Sequence, residues 1–468
     1  MDGAPQVPEI RTTCAYCGVG CGVLARPDGA GGLTVRGDPD HPANHGRLCS
    51  KGFALGETLS LDDRLLTPRV FGQDAHWDAA LGLVADRFRQ AVAQHGPESV
   101  AFYVSGQLLT EDYYVANKLM KGFVGSANID TNSRLCMAST VAGQKRAFGT
   151  DTVPGTYEDL ELADLVVLVG SNLAWCHPVL YQRLVAAKAA RPAMKVVVID
   201  PRRTATCDLA DMHLALAPGS DVALFNRLLV EIDKGGAVDV DYMRHVNGFD
   251  ETLRAAMAQE GGVTGLDPAQ VAAFCKMWVG TEKVVTVFSQ GVNQSSSGTD
   301  KVNAILNCHI ATGRIGRPGM GPFSVTGQPN AMGGREVGGL SNALACHLDI
   351  EDAGHRDLVR SFWQAPTMAK GAGLKAVDLF ERVRTRQIKA LWIVCTNPAV
   401  SMPDADVVRD AIAACDFVVV SDVTANTDTA RLAHVLLPAT GWGEKDGTVT
   451  NSDRTISRQR AVLPAPGA

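Results

Sequence analysis

Thr12-Thr13-Cys14-Ala15-Tyr16-Cys17-Gly18-Val19-Gly20-Cys21-Gly22-Val23, completed further along by Cys49-Ser50-Lys51-Gly52, is the stretch on which the reading of this chain turns. Thiolates spaced Cys14-x2-Cys17-x3-Cys21 can wrap one small inorganic cluster, and a fourth, Cys49, closes the cage. Gly18, Gly20 and Gly22 lie between or beside these positions, where backbone amides can approach and hydrogen-bond cluster sulfurs. Four cysteines could also hold zinc. Zinc sites usually pair two similar Cys-x2-Cys halves, however, and here only the first half has that form. Residues 1–62 are therefore expected to form a small iron–sulfur domain, poor in apolar periodicity and stapled by its cluster.

Working outward, four of the 12 cysteines fall in this opening segment and the rest are scattered singly. A chain of 468 residues is too long for one core, so two to four domains are expected. Its 46% hydrophobic and 20% charged composition is that of a globular protein. A net charge of −6 argues against nucleic acid as a partner, because phosphate binding needs a basic surface. No apolar run reaches the roughly 18 residues that suggest a membrane span. Residues 1–13 contain one arginine and no apolar core of an export signal, so a cytoplasmic location with reduced thiols is expected.

Beyond residue 78 or so the texture changes to alternating strands and helices. β-rich runs occur at Ser99–Ser105, Asp164–Val169, Lys195–Ile199, Lys283–Phe288, Ala390–Val394, Asp416–Val420 and Ala433–Leu437. Helical stretches, such as Ala79–Ala93, Val179–Ala190 and Val222–Asp233, separate several of them. This rhythm predicts an α/β protein: doubly wound, mostly parallel sheets following the small N-terminal domain. The strand runs end in Gly106-Gln107, Gly170-Ser171-Asn172, Asp200-Pro201-Arg202-Arg203, Gln290-Gly291, Thr396-Asn397 and Ser421-Asp422. Turns favour such residues anyway. Their repetition at the carboxyl ends of parallel strands, where such sheets bind ligands, points to a large polar ligand. No G-x-G-x-x-G follows a strand, so a nicotinamide site is not expected.

The opening motif also resembles that of the prokaryotic molybdopterin oxidoreductases, and within them the assimilatory and periplasmic-type nitrate reductases. The likeness continues through Asn132-Ser133-Arg134-Leu135-Cys136-Met137-Ala138-Ser139 and Gly291-Val292-Asn293-Gln294-Ser295-Ser296-Ser297-Gly298. It extends to Thr326-Gly327-Gln328-Pro329-Asn330-Ala331-Met332-Gly333-Gly334-Arg335-Glu336 and Trp442-Gly443-Glu444-Lys445-Asp446-Gly447. The resemblance implies a [4Fe-4S] cluster on Cys14, Cys17, Cys21 and Cys49. It also implies molybdenum bound by two molybdopterin guanine dinucleotides and by Cys136. Taken alone, Cys136 would read as a small buried hydrophobe.

The resemblance further implies pterin contacts at Lys51, Gln107, Asn132, Gly170, Ser171, Asn172, Asp200, Arg202, Gly219, Ser220, Asp221, Gln290, Gln294, Asn397, Ser421, Asp422 and Lys445. Gln290 departs from the usual pattern, in which methionine is common. Two halves would each grip one dinucleotide: a discontinuous one of residues 63–108 with 290–455, and residues 109–289. Residues 456–468 read as a Pro/Gly linker to a further domain that closes over both pterins, so the chain alone is expected to be inactive.

Met137 follows Cys136, where formate-oxidising relatives carry histidine, and sulfoxide reductases tend to use serine as ligand. The resemblance therefore implies reduction of nitrate to nitrite. Electrons would come from ferredoxin, flavodoxin or an NADH-oxidising subunit, through the cluster and past Lys51. Arg335 would meet the planar oxyanion and Met137 would shape the pocket. Arg335 could equally serve a structural pairing with Glu336 or another carboxylate. A formate dehydrogenase of the same fold and a non-catalytic electron-transfer or scaffold subunit are the alternatives. His41, His45, His177, His309, His347 and His434 lack ligand spacing and read as ordinary surface or core residues.

Overall fold

The computed structural model describes residues 8–28, 32–259 and 263–467. Residues 1–7, part of the stretch read for an export signal, and Ala468 of the expected linker lie outside the described residues.

Three antiparallel strands, Ile10–Thr13, Gly22–Pro27 and Leu33–Gly37, open the chain. They have little core of their own. Val19, Val23 and Leu48 share one apolar cluster with Tyr157, Leu160, Val166 and Phe323 of the next domain.

Two parallel sheets follow. In the first, Met212–Leu214, Lys195–Ile199, Leu165–Val169, Val284–Phe288 and Gly321–Ser324 lie side by side in that order, all parallel. In chain order this is third, second, first, fourth, fifth. The second sheet has seven strands: Gln73–Asp74, Arg69–Val70, Val435–Pro438, Phe417–Asp422, Ala390–Val394, Val100–Val104 and Ile129–Thr131. Its last five are parallel, and Arg69–Val70 joins antiparallel at the edge.

The central strands are buried on both faces, which is why they read as nearly continuous apolar runs. Along Leu165–Val169, Leu165, Val167 and Val169 enter a core with Leu224, Phe225 and Trp278, whereas Val166 and Leu168 face the cluster shared with the N-terminal domain. In the second sheet Phe102 and Val104 face one side and Tyr103 the other. Each fully buried side chain of this kind contributes roughly 1.5–3 kcal/mol.

The sheets correct two expected boundaries. Ile129–Thr131 pairs with Val100–Val104, so the chain stays in the seven-stranded sheet past residue 108. A parallel strand must be regained through a crossover, here the helix Thr110–Lys118, before the chain can leave. Likewise Gly321–Ser324 returns to Val284–Phe288 over the helix Gly298–Ala311, so the five-stranded sheet does not end at 289. The expected linker is also structured: Ile456–Gln459 pairs antiparallel with Gly447–Thr450. The Arg460 amide then donates to Thr12 Oγ1 at 2.9 Å, tying the tail back to the first strand. Among the described residues no helix is long and apolar enough to cross a membrane.

Candidate cofactor site

Cys14 and Cys21 face each other at adjoining ends of the first two strands, the Cys14 amide donating to the Cys21 carbonyl at 2.8 Å. Gly20, at φ +65°, turns the loop between them, and its amide donates to the Cys17 carbonyl. Cys49 precedes the short helix Ser50–Phe53. Burial pushes the thiols up, Cys14 to about 12 and Cys17 to about 11, while the amides of Tyr16 and Val19 pull them back. Burial raises Cys21 further, and each of the four thiols lies within electrostatic reach of the other three. Four mutually repelling thiolates with amide donors suit a cationic iron–sulfur core, which would neutralise them. Lys51 is exposed, 5.7 Å from the Tyr16 ring, and its charge reaches Cys14 and Cys17.

One backbone segment joins this loop to Cys136. The Gly18 amide donates to the Gly327 carbonyl at 3.2 Å, and Ser452 Oγ bridges the Thr326 amide to the Gly18 carbonyl. A Cβ on Gly18 would collide with the Thr326 carbonyl, so the close approach requires glycine. Cys136 Sγ borders the same segment and accepts from Gln290 Nε2 at 3.0 Å and from the Gly327 amide. Burial raises the Cys136 thiol, and these two donors together with the Arg335 charge oppose that rise. Met137 interrupts the helix Ser133–Phe148 with φ −137° and ψ 18°, and its side chain is buried.

Each parallel sheet has its switch point, where the crossovers diverge, beside this thiol. In the five-stranded sheet the crevice opens between the tips of Leu165–Val169 and Val284–Phe288. Gly170, at φ +52°, and Gly291 pack backbone to backbone there, so that a Cβ on Gly170 would stand 2.7 Å from the Gly291 Cα. A cavity of about 370 Å³ follows, lined by Gly170, Asp200, Arg202, Gly219, Asp221 and Gln294 among others. Asp200 Oδ1 accepts from the Arg202 amide at 2.9 Å, and Asp221 pairs with buried Lys301 at 2.7 Å. Ser220 Oγ turns away, donating to the Ala217 carbonyl, and Asn172 Oδ1 accepts from Thr206. Gln294 Nε2 donates to the Leu135 carbonyl, which ties this edge to the Cys136 helix.

The seven-stranded sheet supplies a second crevice, between Val100–Val104 and Ala390–Val394. Asn132 spans it, its Oδ1 accepting from the Gly106 amide and its Nδ2 donating to Thr396 Oγ1. An adjoining cavity of about 520 Å³ is lined in part by Cys395, Ser421 and Lys445. Lys445 Nζ lies 3.8 Å from Asp112, and Ser421 Oγ accepts from Trp392. Gln107 is exposed at the rim. Asn397 Oδ1 holds Thr429, and buried Asp422 accepts from the Val423 amide. Burial raises the Asp422 carboxyl above its ordinary value.

Of the expected residues, Gly170, Asp200, Arg202, Gly219, Asp221 and Gln294 line the first cavity and Ser421 and Lys445 the second, while Lys51 stays by the cluster loop. Arg335 is differently engaged than expected. Its Nε and Nη2 grip Asp151 in a bidentate pair, both side chains buried, and Nη1 faces the Met332 sulfur at 3.0 Å. Burial raises the Asp151 carboxyl, but Arg335 and Arg454 outweigh it and hold the group below its usual range. The fork expected to meet a planar anion is therefore occupied by Asp151, which sequence order gave no reason to place there.

Lys301, Gly327 and His177 also border these sites, although no spacing in the sequence marks them. His177 Nε2 contacts the Thr326 carbonyl at 2.8 Å, and burial depresses the ring to about 4. Among the described residues its Nδ1 has no partner, nor do the buried hydroxyls of Ser171, Thr204 and Thr326. Orphaned polar atoms beside the cluster loop and at the strand tips fit a polar cofactor that would satisfy them.

An N-terminal four-thiol domain packs against two sheets with switch-point crevices, and a single thiol, Cys136, lies by the tip of Val284–Phe288. The chain belongs to the molybdopterin oxidoreductases: residues 64–468 match the family model described as "Molybdopterin oxidoreductase" and residues 8–60 match "Molybdopterin oxidoreductase Fe4S4 domain". A nitrate reductase of Klebsiella oxytoca is 57% identical over 98% of this chain and 53% of its own length. A nitrate reductase of Shewanella frigidimarina is 50% identical over 98% of this chain and 50% of its own. The chain thus spans about half the length of these curated relatives. Acetylene hydratase from Pelobacter acetylenicus superposes with a TM-score of 0.79, covering 98% of this chain and 67% of the hydratase. At 19% identity that likeness shows the fold alone.

Proposed function

We propose that this chain is the molybdenum- and iron–sulfur-bearing part of an assimilatory nitrate reductase, which reduces nitrate to nitrite and water with two electrons and two protons. The 57% identity to a protein named nitrate reductase carries this reading. The buried Met137 directly after Cys136, where a histidine would suit formate chemistry, supports it. When bound, molybdenum held by Cys136 and two guanine dinucleotides supplies two-electron oxygen-atom transfer.

The chain's own residues hold and orient. The five-stranded crevice takes one dinucleotide on Gly170, Asp200, Arg202, Gly219 and Gln294, where backbone amides can meet phosphate. The seven-stranded crevice takes the other through Asn132, Ser421 and Lys445. Cys14, Cys17, Cys21 and Cys49 hold the cluster, and Lys51 lies beside it. Arg335 contributes positive charge near Cys136, while Asp151 holds its Nε and Nη2 and Nη1 faces Met332. Ferredoxin, flavodoxin or an NADH-oxidising subunit donates electrons. A cytoplasmic location belongs to the same proposal.

The test is turnover of the cofactor-loaded protein with reduced viologen and nitrate, set against formate with an oxidised dye. Nitrite formation supports the proposal. Formate oxidation without nitrite formation overturns it, as does a protein that retains iron but binds neither molybdenum nor pterin.

A further inference from the structure

Gln290 opens the short helix Gln290–Asn293 at the tip of Val284–Phe288, inside the switch-point crevice. Its Nε2 lies 3.0 Å from Cys136 Sγ. The two ends of a carboxamide are told apart only by their partners. Here the Ser289 hydroxyl stands at Oε1, within reach to donate to it. On the other side, a thiolate that binds a metal can only accept, so the amide N–H₂ end must face the sulfur. The contact is tightly packed. A Cβ on Gly327 would stand 3.1 Å from Gln290 Nε2 and 3.7 Å from Cys136 Sγ. Cys136 thus receives one side-chain donor, from Gln290, in addition to the Gly327 amide.

Hydrogen bonds to a ligating sulfur draw electron density from it, weaken its donation to the metal and raise the reduction potential of the centre. We propose that Gln290 is a positioning residue that sets the potential of the molybdenum centre through its N–H···S bond to Cys136, with Ser289 fixing its orientation. The proposal rests on the reading of Cys136 as the metal ligand. It assigns Gln290 a role toward the protein thiolate distinct from any contact with pterin.

The test compares wild type with Gln290→Met, which keeps length but loses the donor, and Gln290→Glu, which replaces the donor by an anion. The readouts, taken on the metal- and pterin-loaded protein, are the molybdenum potential from a redox titration followed by electron paramagnetic resonance and the sulfur-to-metal charge-transfer band. The iron–sulfur potential serves as internal reference. The expected result is a more negative molybdenum potential in Gln290→Met, a larger shift in Gln290→Glu, a displaced charge-transfer band in both, and an unchanged cluster. A wild-type potential and band in both variants overturns the proposal. So does loss of molybdenum from both with the cluster retained, since Gln290 would then hold the cofactor and not tune it. Cys136→Ala separates the two readings. If it keeps the wild-type molybdenum signal, the ligand assignment fails. If it abolishes that signal while the Gln290 variants leave the potential unmoved, only the role of Gln290 fails.

Discussion

The two cysteine sites both border the Thr326–Gly327 backbone and are assembled differently. Three of the four N-terminal thiols come from one hairpin connection, and their amide donors, Tyr16 and Val19, come from the same loop. Cys136 is alone. Its donors Gln290 and Gly327 and the nearby charge of Arg335 are brought in from distant parts of the chain. A site made locally carries its identity in spacing. A site made by tertiary contact carries it only in the fold.

The comparison can be broken at several points. Cys17→Ser should have the largest effect, because it removes a ligand that the local loop cannot replace. Even changes to groups that only hydrogen-bond a metal's ligands cost about 10–100-fold in metal affinity, so bound iron should fall by more than roughly tenfold. Iron analysis with the visible absorbance reads the result, and full iron content would refute the cluster assignment of Cys17.

Asp151→Asn tests the second site's long-range wiring. It leaves the Arg335 guanidinium buried beside a neutral amide, and breaking a buried pair in this way costs about 3–5 kcal/mol. Urea unfolding measures it, and a loss below about 1 kcal/mol would mean that the pair behaves as an exposed one. The same carboxyl gives a pH signature. Held below its usual value in the folded state, it stabilises the protein fully above the unfolded carboxylate range. That contribution is lost as pH falls through the lower folded value. Wild type should therefore lose its advantage over Asp151→Asn in acid, and a constant difference across that range would exclude this linkage.

Gly18→Ala is the smallest and sharpest of the three. The added Cβ would press on the Thr326 carbonyl and Ser452, overpacking that costs about 1–3 kcal/mol. Because Thr326–Gly327 also borders Cys136, the perturbation should reach the second site. Thermal unfolding should show the destabilisation, and the molybdenum resonance should change along with the cluster signal. A change confined to the cluster would mean that the shared segment does not couple the two sites.

The legibility of the fold follows burial. Lys195–Ile199 and Ala390–Val394 match their sequence readings to the residue, because parallel strands covered on both faces are continuous apolar runs. Ile129–Thr131, Met212–Leu214 and Gly321–Ser324 had no such signal. They are edge strands of three or four residues whose place is set by their neighbour's hydrogen bonds. The displaced domain boundaries follow from missing two of them. The tail follows a related rule: proline and glycine in its last residues suggest a linker, while Ile456–Gln459 pairs with Gly447–Thr450.

At the candidate site the sequence by itself determined the spacing of the four N-terminal thiols and the polar strand tips, because these depend on neighbours in the chain, whereas Cys136 stands out only through the motif it shares with a family. Only the tertiary structure decided that Asp151 takes the fork of Arg335, that Gln290 turns its amide to Cys136, and that Gly327 touches both cysteine sites. Those contacts join residues more than a hundred positions apart. No local pattern encodes them, since a buried charge or donor is answered by whichever group the packing of the two sheets brings within reach.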